Sequence, residues 1–243
     1  MVLQFDIINK EKILLYYILF NTNLTASEAV IHFLITIFVY MISLSIHEFA
    51  HAFVAFKCGD PTAKLASRMT LNPFKHLDMM GFLLFMFLGV GWAKPVPVNP
   101  LNFKKYKKGT RAVSIAGVTA NFLLGLLSAV VVAILLATVG NAGGVAMGYV
   151  YSILIYFMLV NSFLVMFNIL PIPPMDGYNF VSSFCKGENK FIKFMTRNGF
   201  KILIGVLLVG TLTDLFFGFD IFTIYLSLLN DFVYMPITWL GVL

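Results

Sequence analysis

Residues 29–56 read AVIHFLITIFVYMISLSIHEFAHAFVAF, and this run decides the fold. Twenty-eight positions pass without a lysine, an arginine or an aspartate, and Glu48 is the one acidic residue among them. About twenty apolar residues suffice to cross the hydrocarbon core of a bilayer as a helix, so the run is a transmembrane helix. Thr25-Ala26-Ser27-Glu28 stands directly before it and fits the capping box that opens helices. Near its far end the run carries His47, Glu48 and His51. Ionisable groups at membrane depth are costly, and their default reading is a functional site.

Working outward, the whole chain has the same character. Of 243 residues 60% are hydrophobic and 12% charged, about half the charge of an ordinary soluble domain. Further long apolar runs cover 112–139, 147–170 and 202–230, with a shorter one at 79–93 and a marginal one at 13–20. The expected architecture is an all-α polytopic membrane protein with about four to six transmembrane helices. A three-helix core should lie within 25–180, and membrane helices are expected again over 201–243, all as one domain spanning 1–243. Cys58 and Cys185 stand alone, so no disulfide framework or thiolate cluster is indicated. No cleavable signal pattern opens the chain, and the expectation is a mature N-terminus.

The net charge of +6 would suit a nucleic-acid ligand, but its distribution points elsewhere. Fifteen of the seventeen Lys and Arg residues fall in 57–75, 94–111 and 186–201, between apolar runs. That is the pattern that orients membrane proteins, with basic loops in the cytoplasm, and no nucleic-acid partner is expected. The lipid bilayer is the expected surrounding, the cell membrane the expected location, and 140–146 should face outside. The run 79–93 then has cytoplasmic flanks on both sides. It contains Gly81, Gly89 and Gly91 and is expected to be a re-entrant or edge element, with an irregular or β-like segment around 60–110.

His47-Glu48-Phe49-Ala50-His51 is an H-E-x-x-H pattern. Residues four apart share a helix face, so both imidazoles can grip one metal ion with Glu48 beside them as a general base. With four His and four Glu in the chain, chance produces the pattern about once in a thousand such chains. Catalytic zinc usually takes three protein ligands plus water, and Asp176 is the best third candidate. It ends Asn168-Ile169-Leu170-Pro171-Ile172-Pro173-Pro174-Met175-Asp176-Gly177, where the prolines must break the helix; the alternative is a plain Asp-Gly turn at the membrane surface. At 1.5 Å per residue, His47, His51 and Asn121 lie about 8–14 Å from the cytoplasmic ends of their runs, and the run 147–170 delivers Asp176 to the same side.

These stretches resemble the site-2 protease family of intramembrane zinc metalloproteases. The resemblance rests on the H-E-x-x-H helix, the Asn-x-x-Pro-x-x-Pro-x-Asp-Gly stretch and Gly117-Val118-Thr119-Ala120-Asn121. It also takes in Leu71-Asn72-Pro73-Phe74-Lys75-His76-Leu77-Asp78 and Gly91-Trp92-Ala93-Lys94-Pro95-Val96-Pro97-Val98-Asn99-Pro100, so it covers roughly 40–180. It implies a zinc ion held by His47, His51 and Asp176, with Glu48 as the catalytic base. It also implies a catalytic Asn121 that holds substrate or the tetrahedral oxyanion. The implied substrate is a transmembrane protein or peptide, cut from the cytoplasmic side of the membrane and presented unwound along an edge near 60–110. Val118 and Met175 depart from the family's usual proline and leucine, and neither position supplies a ligand. The chain resembles a minimal member without a PDZ domain.

A membrane metal-ion transporter or metal sensor is the rival class, because His and Asp inside helices also mark ion pathways. Glu48 speaks against it, since a transporter has no need of a base beside two ligands. Other polar residues have plainer readings. Asn161 and Asn168 share a helix face and either line a cavity or bond between helices. His32 is structural, and His76 and Asp78 belong to loop architecture. The oligomeric state is open.

Overall fold

The structure, a computed structural model, describes residues 25–88, 91–140, 142–185 and 189–217. Its elements in order are α1 (Ala26–Cys58), α2 (Thr62–Leu65), α3 (Pro73–His76), α4 (Met79–Leu88), a 3₁₀ turn (Pro100–Asn102), α5 (Tyr106–Thr138), α6 (Gly144–Ile169), α7 (Asp176–Ser182) and α8 (Lys190–Phe217). Three of these, α1, α5 and α6, are long and apolar enough to cross a membrane among the described residues. The run 13–20 and everything beyond 217 lie outside the described residues. Of the run 202–230 only 202–217 is described, as part of α8, so three of the expected four to six spans are seen among the described residues.

α1 begins where its cap predicts. The Thr25 hydroxyl accepts from the Glu28 N–H at 3.3 Å, and the Glu28 carboxylate accepts from the Thr25 N–H at 2.9 Å. It ends at Gly59, whose φ of +113° is a conformation few side chains tolerate. The following Asp60 N–H closes back on the Ala55 carbonyl at 2.9 Å. Thirty-three residues make α1 about 50 Å long, so its ends project beyond a 30 Å hydrocarbon core. α5 has the same length and starts at Tyr106, six residues before its apolar run. Lys107, Lys108 and Arg111 are good helix formers, so the helix continues through its solvated turns. α8 likewise begins at Lys190 and not at 202, drawing most of the basic segment into helix.

α1 and α6 run in the same direction and α5 runs opposite to both, as the cross-links His32–Tyr156, Ser43–Asn161 and His51–Val113 require. The seams are built from small residues. Ser43, Ala52 and Ala55 of α1 are buried, as are Gly109, Ser114, Gly117, Gly125, Ala129 and Ala133 of α5. Small side chains let membrane helices approach closely where no hydrophobic gradient drives them together. Leu34, Phe38, Phe53, Leu123, Leu127 and Ile134 are exposed, the arrangement of a protein whose solvent is lipid.

Between α1 and α5 the chain is irregular, and no strand occurs among the described residues. The β-like alternative for 60–110 is therefore not what forms among the described residues: residues 92–99 carry no regular secondary structure. α4 has ten residues, about 15 Å, half a span. Gly91 and Trp92 lie against Gly81. A Cβ on Gly81 would stand 2.2 Å from the Trp92 carbonyl oxygen, and one on Gly91 would stand 2.1 Å from that of Gly81. Only glycine admits that approach.

Candidate metal centre

The first two donors come from one face of α1. His47 and His51 are both buried, with their Nε2 atoms 3.0 Å apart. The third comes from the broken end of α6. That helix stops at Ile169, two residues before Pro171, as the proline cluster demands. The chain re-enters helix at Asp176, and Gly177 makes the return possible, since a Cβ there would collide with the Ile169 carbonyl oxygen at 2.1 Å. Arg111 of α5 tethers the far end of α7, donating to the Ser183 hydroxyl at 3.2 Å and lying 3.8 Å over the Phe184 ring. The result puts Asp176 Oδ2 3.3 Å from His47 Nε2 and 3.0 Å from His51 Nε2. The ligand atoms of all three residues lie within 4.8 Å of one another.

The opposite nitrogen of each ring is tied off. His51 Nδ1 lies 2.7 Å from the Val113 carbonyl, which can only accept, so this nitrogen carries the proton. His47 Nδ1 lies 2.5 Å from Asn121 Oδ1 and donates to it. In neutral rings both Nε2 atoms are then bare lone pairs, aimed at a buried carboxylate oxygen that has no hydrogen-bond partner. Three electron-rich atoms converging in a desolvated pocket repel one another unless a cation lies between them. Four ligands at ordinary zinc distances of about 2.0–2.1 Å stand about 3.3 Å apart in a tetrahedron, close to the separations found here. The donor set therefore fits zinc. Gly117 of α5 closes the other side: a Cβ there would meet His47 Cε1 at 2.4 Å and His51 Nε2 at 2.5 Å.

Glu48 is held from another direction. Its Oε2 accepts the Val96 backbone N–H at 2.8 Å, within the irregular 92–99 segment. That segment is fastened on both sides of this contact. Arg68 donates to the Lys94 carbonyl at 2.7 Å and the Lys94 N–H donates to the His76 carbonyl at 2.8 Å. At the other end Asp60, fully buried, accepts from the Asn99 N–H at 2.7 Å, the Asn102 amide at 2.7 Å, the Thr62 N–H at 3.1 Å and the Thr62 hydroxyl. Burial by itself would raise the Asp60 pKa, but these donors together hold it below the ordinary carboxylate value.

All five residues singled out in the sequence are thus accounted for. His47, His51 and Asp176 converge, and Glu48 faces the irregular segment. Asn121 is fully buried and touches His47, while its amide nitrogen donates to the Ser43 carbonyl at 3.3 Å and to Asn161 Oδ1 at 2.6 Å. Both N–H groups of its amide are directed at acceptors within the protein. Asn161 belongs to this network, whereas Asn168 bonds only within its own helix. His32 bonds Tyr156 at 2.9 Å, His76 bonds the Thr70 carbonyl at 2.8 Å, and Asp78 caps Gly81, all structural as expected. Asp60 carried no recognisable motif and was missed.

Among curated proteins, the chain is 42% identical over 144 residues to the "Putative zinc metalloprotease YwhC" of Bacillus subtilis, a match covering 58% of this chain and 64% of that one. It is 26% identical over 191 residues to the "Putative zinc metalloprotease Rip2" of Mycolicibacterium smegmatis and 28% identical over 192 residues to its namesake in Mycobacterium tuberculosis. Each of these matches covers 76% of this chain and 71% of the relative. The chain thus spans somewhat under two thirds of the length of its Bacillus relative. No family model matches it, and no solved structure does.

Proposed function

We propose that this chain, which belongs to the site-2 protease family, hydrolyses peptide bonds of other membrane proteins within or near their transmembrane segments. The observation that carries this reading is the convergence of two bare imidazole nitrogens and an unpartnered carboxylate oxygen at tetrahedral spacing, with Glu48 next in sequence to one of them. His47, His51 and Asp176 hold the zinc ion. Bound there, zinc supplies Lewis acidity and lowers the pKa of a coordinated water toward neutrality. Glu48 would act as general base toward the attacking water and would pass the proton on to the leaving amine. The Val96 N–H keeps its carboxylate oriented between turnovers.

A helical substrate hides its carbonyls in backbone hydrogen bonds and must unwind locally before attack. Residues 92–99, free of regular secondary structure and joined to Glu48 through the Val96 N–H, are the stretch along which an unwound segment can lie. The basic residues of 57–75, 94–111 and 186–201 support a cytoplasmic placement of this end of the molecule, with the chain crossing the cell membrane several times.

The deciding experiment compares wild type with Glu48→Gln, which keeps size but removes the basic site. Losing a general base costs about 10²–10⁴ in rate. The variant is expected to bind zinc normally and to accumulate uncut membrane substrate, and phenanthroline should block the wild type. Cleavage by Glu48→Gln at the wild-type rate would sink the protease reading and favour a metal transporter, for which transmembrane zinc flux is the matching assay.

A further inference from the structure

Behind the candidate ligands lies a chain of amide groups, each of which determines the orientation of the next. Asn161 of α6 is fully buried. Its nitrogen lies 2.8 Å from the Phe157 carbonyl and 2.9 Å from the Ser43 hydroxyl. A backbone carbonyl can only accept, so this end of the amide must be the NH₂, and Oδ1 must point the other way. It points at Asn121 Nδ2, 2.6 Å away. The Ser43 carbonyl, 3.3 Å from the same nitrogen, is also acceptor-only. Asn121 is therefore locked with its oxygen toward His47 Nδ1.

The direction matters because an asparagine amide is nearly symmetrical in shape and opposite in hydrogen-bonding sense. Flipped, Asn121 would present an N–H to His47 Nδ1 and favour the tautomer protonated at Nε2. That tautomer has no lone pair for a metal ion. Val113 gives His51 a backbone acceptor that cannot flip. His47 lacks one and depends on an amide that has to be held.

We propose that Asn161, braced by Ser43, is a positioning residue that locks the Asn121 amide and through it selects the metal-binding tautomer of His47. The inference rests on the metal-centre reading above and extends it to a third helix, so that α6 contributes to the His47 ligand as well as delivering Asp176.

The test uses the full chain in detergent, stripped of metal and titrated with zinc against a chromogenic chelator. Loss of an outer partner of a histidine ligand typically weakens metal binding about 10–100-fold. Asn161→Leu, close in volume and without polar atoms, is expected to fall in that range. Asn121→Leu should fall at least as far. The double variant should be no weaker than Asn121→Leu alone, because Asn161 acts only through Asn121. Nitrogen-15 spectra of histidine-labelled, zinc-free protein should show His47 protonated at Nδ1 in wild type and redistributed toward Nε2 in Asn161→Leu, a change that general loosening of the bundle would not produce.

Wild-type zinc affinity in Asn161→Leu, additive losses in the double variant, or an unchanged His47 tautomer would each overturn the proposal. If Asn161→Leu does not fold, Ser43→Ala stands in. It removes one neutral hydrogen bond to Asn161, expected to weaken zinc about two- to tenfold, and wild-type affinity in that variant also overturns the idea. Failure of the wild type itself to bind zinc would instead remove the metal centre on which the inference rests.

Discussion

His47 and Glu48 are neighbours in the chain, yet different kinds of structure hold them. His47 sits between three helices, and its contacts run through Asn121, Asn161 and Ser43, side chains wholly enclosed by the bundle. Glu48 is met by a single backbone N–H from a segment without regular structure, fastened at its ends by Asp60, Arg68 and His76. Metal ligands need fixed geometry, and helices packed through small residues supply it. The Glu48 side, where the proposed function has substrate enter, is lined by loop. The helix flank is expected to govern metal affinity and the loop flank turnover.

The largest effects should come from the ligands. His47→Ala and Asp176→Ala each remove a donor outright and should lose more affinity than the about 100-fold that an outer partner can cost, read as zinc content after purification. Full zinc occupancy in Asp176→Ala would take that residue out of the coordination sphere and leave α7 with another task.

A narrower cut is Val96→Pro. Val96 already stands between Pro95 and Pro97, so the extended backbone should persist while the N–H to Glu48 is lost. A hydrogen bond to a charged group is worth about 1.5–3 kcal/mol, hence a drop in kcat of about tenfold or more with zinc affinity unchanged. A fall in zinc affinity of similar size would erase the distinction between the two flanks.

The smallest effect is the pH dependence carried by Asp60. Its folded pKa is depressed below the ordinary aspartate value of 3.8. The unfolded chain therefore binds the proton more readily, and the stabilisation is present above about pH 4 and disappears as pH falls through the folded value. Asp60→Asn should lack this acid-dependent component. Melting curves of the two proteins should differ most near neutrality and converge as the pH falls through the folded value, with zinc affinity at pH 7 altered little.

The two flanks were unequally legible in the sequence. α1, its capping box, the proline break before Asp176 and the separation of basic from apolar segments follow from local rules, because helical periodicity, proline's missing N–H and the thickness of a bilayer act over a few residues at a time. Counting depth at 1.5 Å per residue even brought His47, His51, Asn121 and Asp176 to one level. The partners of those residues were another matter. The Val113 carbonyl and the Val96 N–H belong to groups that nearly every residue carries, and Asp60 looks like any acidic residue after a helix-ending glycine.

Composition and local pattern were thus enough to determine a membrane helix bundle and the donor types on it. Only the tertiary structure decided which nitrogen of His47 is bare, which way the Asn121 amide faces, and that residues 92–99 lie against Glu48. Those choices depend on hydrogen bonds between groups 40 to 78 positions apart in the chain, and their directionality exists only once the helices have packed.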